Sequence, residues 1–109
     1  MTQATALTTG LKPQTIGSVR TFEWSGLRNG LPWDITGGTA QVILSDPNGN
    51  QTTLTATVGA SGFSARANWV VVAPAGTWTR AWRIQDSGMV GDGTYDYSEP
   101  ITFEVLSSP

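Results

Sequence analysis

The chain has 109 residues, 13% of them charged, with six basic and eight acidic side chains for a formal net charge of −2. That length fits one domain, and the charged share is about half that of an ordinary soluble domain. Cysteine and histidine are both absent, which excludes disulfide frameworks, thiolate metal sites and the commonest general base, while the acidic balance argues against nucleic acid as a partner.

Residues 1–14 are polar, Thr-rich and aperiodic, with Pro13 near their end, and read as an extended N-terminal arm that a partner would order. The start has no basic region followed by an apolar one, and no apolar run approaches the ~18 residues of a membrane span. The expectation is therefore a product made in the cytoplasm, without a membrane partner, and carried out only as part of a larger particle. The domain proper is expected over residues 15–109.

Residues 16–24 favour a strand, with Phe22 and Trp24 on one face. Asn29-Gly30 is a strong two-residue hairpin signal. Next comes Leu31-Pro32-Trp33-Asp34-Ile35-Thr36 and a Gly37-Gly38 break. Ala40, Val42 and Leu44 then alternate with Thr39, Gln41, Ile43 and Ser45, the period of a strand with one buried face. Asp46-Pro47-Asn48-Gly49 supplies turn chemistry, and residues 51–58 alternate again, with Leu54, Ala56 and Val58 facing one way.

Residues 63–72 read as a strand through Phe63, Ala65, Ala67 and Trp69, ending in an apolar run. Residues 77–85 form the clearest strand: Trp78, Arg80, Trp82 and Ile84 on one face, with Thr77, Thr79, Ala81, Arg83 and Gln85 on the other. A Gly/Asp loop is expected over 86–94. A closing strand follows over 95–106, in which Tyr97, Ile101, Phe103 and Val105 share a parity and Pro100 restricts the first part to an edge or bulge. No segment carries a helical apolar stripe. About seven short strands separated by turns predict an all-β sandwich.

Four groups of residues are candidates for chemistry or contact. Trp78, Arg80 and Trp82 would set a guanidinium between two indoles, a ladder at the rim of the sandwich worth about 0.5–2 kcal/mol per contact, with the Arg80 head in water. Trp33 and Trp69 flank turns or strand ends and are expected to be exposed, as contacts for a partner protein or a glycan. Asp86, Asp92, Asp96 and Glu99 offer oxygen ligands, but their spacing fits no calcium loop. Glu23 and Glu104 alternate outward on separate strands and do not read as a catalytic pair. With no nucleophile–base pair and no phosphate loop, the chain is not expected to be an enzyme, and no cofactor or metal is implied.

The order of these elements resembles a known family. The matching residues are Gly30, Pro32, Asp34, Ile35, Thr36, Gly37 and Thr39, then Ala75, Gly76, Thr77 and Trp78, then Pro100, Ile101, Phe103 and Val105. Spanning residues 16–106, they make the chain similar to the immunoglobulin-like N-terminal domain of phage baseplate upper proteins, and equally to small Ig-like accessory proteins of tailed-phage virions. The Asp34-Ile35-Thr36-Gly37 core of the match is a fold motif. A baseplate upper protein continues into further domains, whereas this chain stops at Pro109, so a stand-alone decoration, connector or tail accessory protein is expected.

The resemblance implies an Ig-like β-sandwich acting in a virion. Its partners would be other virion proteins of capsid or tail and further copies of itself, and it would be synthesised in the host cytoplasm. The competing expectation is a carbohydrate-binding or host-surface adhesion module built on exposed tryptophans.

Overall fold

The computed structural model describes residues 13–107. Strands make up 53% of these residues and helix 6%, so the chain is all-β. Its elements are β1 (Gln14–Thr15), β2 (Val19–Trp24), β3 (Leu27–Arg28), β4 (Leu31–Pro32), β5 (Thr39–Ser45), β6 (Gln51–Thr55), β7 (Thr57–Val58), β8 (Ala65–Val70), β9 (Gly76–Gln85), a short helix α1 (Ser87–Asp92), β10 (Asp96–Tyr97) and β11 (Ile101–Leu106).

The larger sheet runs β1-β11-β9-β5-β6, with β10 also paired to β9, and curls into a half-barrel. A smaller sheet runs β2-β8-β7, and β3 with β4 forms a separate hairpin. The alternation within each strand decides which side chains fill the space between the sheets. Ala40, Val42 and Leu44 of β5 are all at most 1% exposed, and Trp78, Trp82 and Ile84 of β9 at most 3%. They meet Phe22, Ala67 and Trp69 of the smaller sheet in one core. Trp69 lies 5.1 Å from the Trp78 ring and 6.0 Å from Phe103, and the Phe22 ring is 6.2 Å from Trp69.

Three sequence expectations change. Residues 1–12 of the expected arm lie outside the described residues, but Gln14, placed in the arm, instead opens β1. It pairs in parallel with Val105, as Thr15 does with Leu106.

The 51–58 strand keeps its alternation yet divides at Ala56. The Ala56 N–H donates to the Ala40 carbonyl (2.9 Å), and the chain passes from the larger sheet to the smaller one.

The 95–106 strand also divides. Tyr97 pairs with Arg83 and Ile101 with Arg80, so four steps along one strand oppose three along the other. One extra residue makes a bulge and reverses side-chain parity. Ser98 fills it, donating its N–H to the Trp82 carbonyl (2.9 Å) and accepting the Trp82 N–H on its hydroxyl (2.8 Å). Ile101, Phe103 and Val105 are buried as expected, whereas Tyr97 is 62% exposed.

Candidate functional site

The β3–β4 hairpin has a two-residue turn in which Asn29 (φ 55°) and Gly30 (φ 79°) both take the left-handed conformation. This matches the right-handed twist of the flanking strands and accounts for the Asn-Gly pair. Arg28 lies opposite Leu31, and Leu27 opposite Pro32. The hairpin is fixed at its root by the Trp33 N–H, which donates to the Gly26 carbonyl (2.9 Å). There Trp33 packs edge-on against Trp24, with ring centroids 5.8 Å apart at 70°. Gly26 is needed at this root, because a Cβ would fall 2.8 Å from the Trp24 ring.

Across from the hairpin, the expected 86–94 loop contains α1. Asp86 caps it, accepting the Met89 N–H on its carboxylate (2.9 Å), and Gly93 (φ 72°) ends it in the left-handed conformation. Those are ordinary start and stop signals for a helix. The helix buries no residue, which is why no apolar stripe announced it. Gln85 anchors the segment from below. Expected on the outer face of β9, it is 5% exposed, and its carboxamide donates to the Thr94 carbonyl (2.8 Å) while accepting from the Thr39 hydroxyl (2.9 Å).

Arg28 ties these parts together. Its guanidinium donates to Asp86 (3.1 Å) and to Asp96 (2.8 Å) and lies 4.2 Å from the Trp33 ring centroid. The Trp33 indole N–H donates to the same Asp86 oxygen (3.2 Å). Hydrogen bonding from the Met89 backbone N–H, then from Trp33, together with the charge of Arg28, holds the Asp86 carboxyl below its ordinary value. Beside this clasp Arg83 lies over Tyr95 (4.8 Å), and Tyr95 and Tyr97 are 6.3 Å apart. Leu27, Leu31 and Tyr97 are 52%, 68% and 62% exposed. At this tip Leu31 lies on the Arg28 face of the hairpin and Leu27 on the other, and the charged groups already satisfy one another. Such a surface suits contact with another molecule, and it holds no nucleophile with an adjacent base.

Of the sequence-derived contact residues, Trp33 lies in this tip, half-buried. Trp69 does not. It is 7% exposed at the centre of the aromatic core, because it shares the inward-facing parity of Ala65 and Ala67 on β8, although that strand ends one residue later at Val70.

The ladder of Trp78, Arg80 and Trp82 shares one face as expected, but that face points into the core rather than along a rim. Arg80 is 7% exposed with its Nε buried, and among the described residues the cation–π contacts are made by Arg20, Arg28 and Arg83 instead.

The motif Asp34, Ile35, Thr36, Gly37 is structural in its contacts. The Asp34 carboxylate accepts from the Thr36 N–H (2.9 Å) and hydroxyl (2.6 Å). Ile35 is fully buried and donates its N–H to the Gly62 carbonyl (2.8 Å).

The acidic groups are dispersed. Asp86 and Asp96 converge on Arg28, a cation of the chain itself, and among the described residues no three acidic side chains gather as a metal site would require. Glu23 pairs with Arg66 (2.6 Å) and Glu104 accepts from the Thr77 hydroxyl, on different sheets.

A separate groove of about 360 Å³ runs beside β7 and β8, lined by Glu23, Thr57, Ala65, Arg66, Ala67 and Asn68 among others. Its lining is about half apolar and contains no aromatic ring.

Arg28, Tyr95 and Tyr97 were not identified from sequence. Asp86 and Gly93, six residues of helix apart, were the available signal for the capped turn. Nothing local, however, indicated that Arg28 would meet acids 58 and 68 residues away. Compared with known protein families and with curated proteins, the sequence matches none.

Proposed function

We propose that this is a structural protein of a tailed-phage virion, an Ig-like β-sandwich that acts through protein–protein contacts rather than catalysis. It would serve as a capsid decoration, connector or tail and baseplate accessory protein, made in the host cytoplasm and assembled as multiple copies.

Three features support an Ig-like arrangement. Two sheets share one core, the first strand runs parallel beside the last, and the chain changes sheets between β6 and β7. The observation that carries the contact reading is the hairpin tip. Leu27 and Leu31 expose apolar surface on the two faces of the hairpin, whose arginine is already paired. A partner covering this tip would bury apolar area without stranding an unpaired ion.

Light scattering on the purified chain tests this reading. Multimers at high concentration that Leu31→Asp disperses, with its circular dichroism unchanged, are the expected result. A chain that stays monomeric and is insensitive to Leu31→Asp would sink it.

The second reading is a glycan-binding module. It draws on the exposed Tyr95 and Tyr97 pair and on Trp33, since aromatic faces stack on sugar rings. A glycan array followed by tryptophan-fluorescence titration separates the two. Saturable quenching by a sugar would favour the module.

A further inference from the structure

The outermost strand of a sheet pairs on one side only, and the two ends of the larger sheet meet that condition differently. β1, at one end, is two residues long and follows Pro13. β6, at the other, runs Gln51-Thr52-Thr53-Leu54-Thr55, with no proline, no charge and an unbroken register against β5. Very short strands, proline, charge and bulges are the usual defences of an edge against a second chain. β6 has none of them.

The hydrogen bonds at the two ends of the β5–β6 ladder fix which backbone groups face outward. The Asp46 N–H donates to the Asn50 carbonyl and the Ala56 N–H to the Ala40 carbonyl, both at 2.9 Å. Residues of an antiparallel pair alternate between bonding across it and turning away, so the even-numbered residues from 50 to 56 bond to β5. Gln51, Thr53 and Thr55 therefore turn their N–H and C=O groups to the open side, where among the described residues no strand pairs with them. Their side chains and that of Thr52 are exposed. The groove of about 360 Å³ has Thr55 in its lining, so the described chain leaves room at that end of the edge.

We propose that β6 pairs antiparallel with β6 of a second copy of this chain, about a two-fold axis at Thr53, so that two larger sheets become one. Thr53 faces the partner's Thr53, Gln51 the partner's Thr55 and Thr52 the partner's Leu54. In this register every outward-turned residue meets another, for about six backbone bonds between the chains. Slipping by one residue would set core-facing side chains against solvent-facing ones, and slipping by two would shorten the ladder.

Two observations select a second copy as the occupant. All five side chains of β6 are uncharged, so identical strands meet without like-charge repulsion, and the threonine pair at the axis is a favourable cross-strand pair. The blunted β1 edge offers a neighbour's β6 only two residues, so the contact closes as a dimer instead of propagating head to tail. A single strand pair is a small interface, and the association should be weak. This surface is separate from the hairpin tip, and the pairing does not depend on the virion reading.

Sedimentation velocity at chain concentrations up to about 1 mM, where weak association is measurable, tests the proposal. A monomer–dimer equilibrium is expected, and multimers held by the hairpin tip should fall to this dimer in Leu31→Asp. Thr53→Lys sets two ammonium groups against each other at the axis and should weaken the dimer several-fold. Thr53→Glu should do the same with two carboxylates, and mixing the two variants should restore dimers, since lysine then faces glutamate. No dimer in the wild type, loss of the dimer in Leu31→Asp, undiminished dimers in Thr53→Lys, or no recovery on mixing would overturn the pairing.

Should either Thr53 variant fail to fold, amide hydrogen exchange in the wild type decides. The N–H groups of Gln51, Thr53 and Thr55 should exchange more slowly as concentration rises, while those of Thr52 and Leu54 stay protected throughout. Fast exchange at 51, 53 and 55 at every concentration would mean an open edge. Slow exchange there at every concentration would mean an edge covered within one chain. Either result overturns the proposal.

Discussion

Two tryptophans, Trp69 and Trp33, occupy similar-looking positions in the sequence and opposite situations in the fold. Trp69 lies among Phe22, Trp78 and Phe103, 7% exposed, and is held by burial and ring packing. Trp33 is half-buried, with one edge against Trp24 and the rest held by Arg28 and Asp86. The first arrangement rests on apolar area removed from water and on dispersion, which salt and pH barely change. The second rests on ion pairs whose arginine is 41% exposed, and those weaken as salt screens them. One molecule thus stabilises the same residue type by two different means, and the difference can be measured.

The largest effect is expected at the core. Trp69→Ala removes an indole from contact with three rings and should cost about 3–5 kcal/mol of unfolding free energy. The cost should be the same at low and high salt by urea denaturation. A loss under about 1 kcal/mol would mean that Trp69 is not part of the packed core and would collapse the contrast with Trp33.

An intermediate effect is expected where the two sheets' loops meet. Gly62 has φ +82°, and a Cβ there would fall 2.0 Å from the Thr36 hydroxyl and 2.1 Å from the Asp34 carboxylate. Gly62→Ala should therefore cost about 1–3 kcal/mol through backbone strain, with further loss if the Asp34–Thr36 turn opens. Because the cause is steric, this cost too should be independent of salt. A salt-dependent cost would assign the Asp34 motif to the electrostatic class with the clasp.

What was legible in the sequence follows the same division. The strands with one buried face, 39–45 and 77–85, could be read directly, because burial of alternate side chains imposes a period of two that no distant partner alters. The Asn29-Gly30 hairpin was equally plain, since its turn requires left-handed residues. The parity of Tyr97 was not legible. A single bulged residue near Ser98 reverses it, and bulges leave little local trace beyond a nearby Pro100.

Helix α1 escaped because its stability comes from its Asp86 and Gly93 caps rather than from an apolar face. The clasp was the least legible part of all. Arg28, Asp86 and Asp96 are each unremarkable alone, and only the fold brings them within hydrogen-bonding distance. Arg80 shows the converse limit. Alternation placed it correctly on the inner face of β9, but its type argued for a rim position rather than one 7% exposed.

The smallest effect is expected at the clasp and completes the comparison. Arg28→Ala removes two exposed ion pairs and one cation–π contact, for a loss of about 1 kcal/mol at low salt that shrinks as salt is added. The pH dependence should carry the same signature. Asp86 titrates below its ordinary value of 3.8 in the folded chain, so the folded state favours its charged form. Its contribution is present above that value and is lost as pH falls from about 4 through the folded pKa. Asp86→Asn should flatten the acid limb of the stability curve, and Trp33 fluorescence should report the clasp opening in wild type before global unfolding. Trp69→Ala should lower the whole curve without changing the slope of that limb. An acid limb as steep in Asp86→Asn as in wild type would show that the hairpin end is held by packing alone, and the two tryptophans would then differ in exposure but not in what holds them.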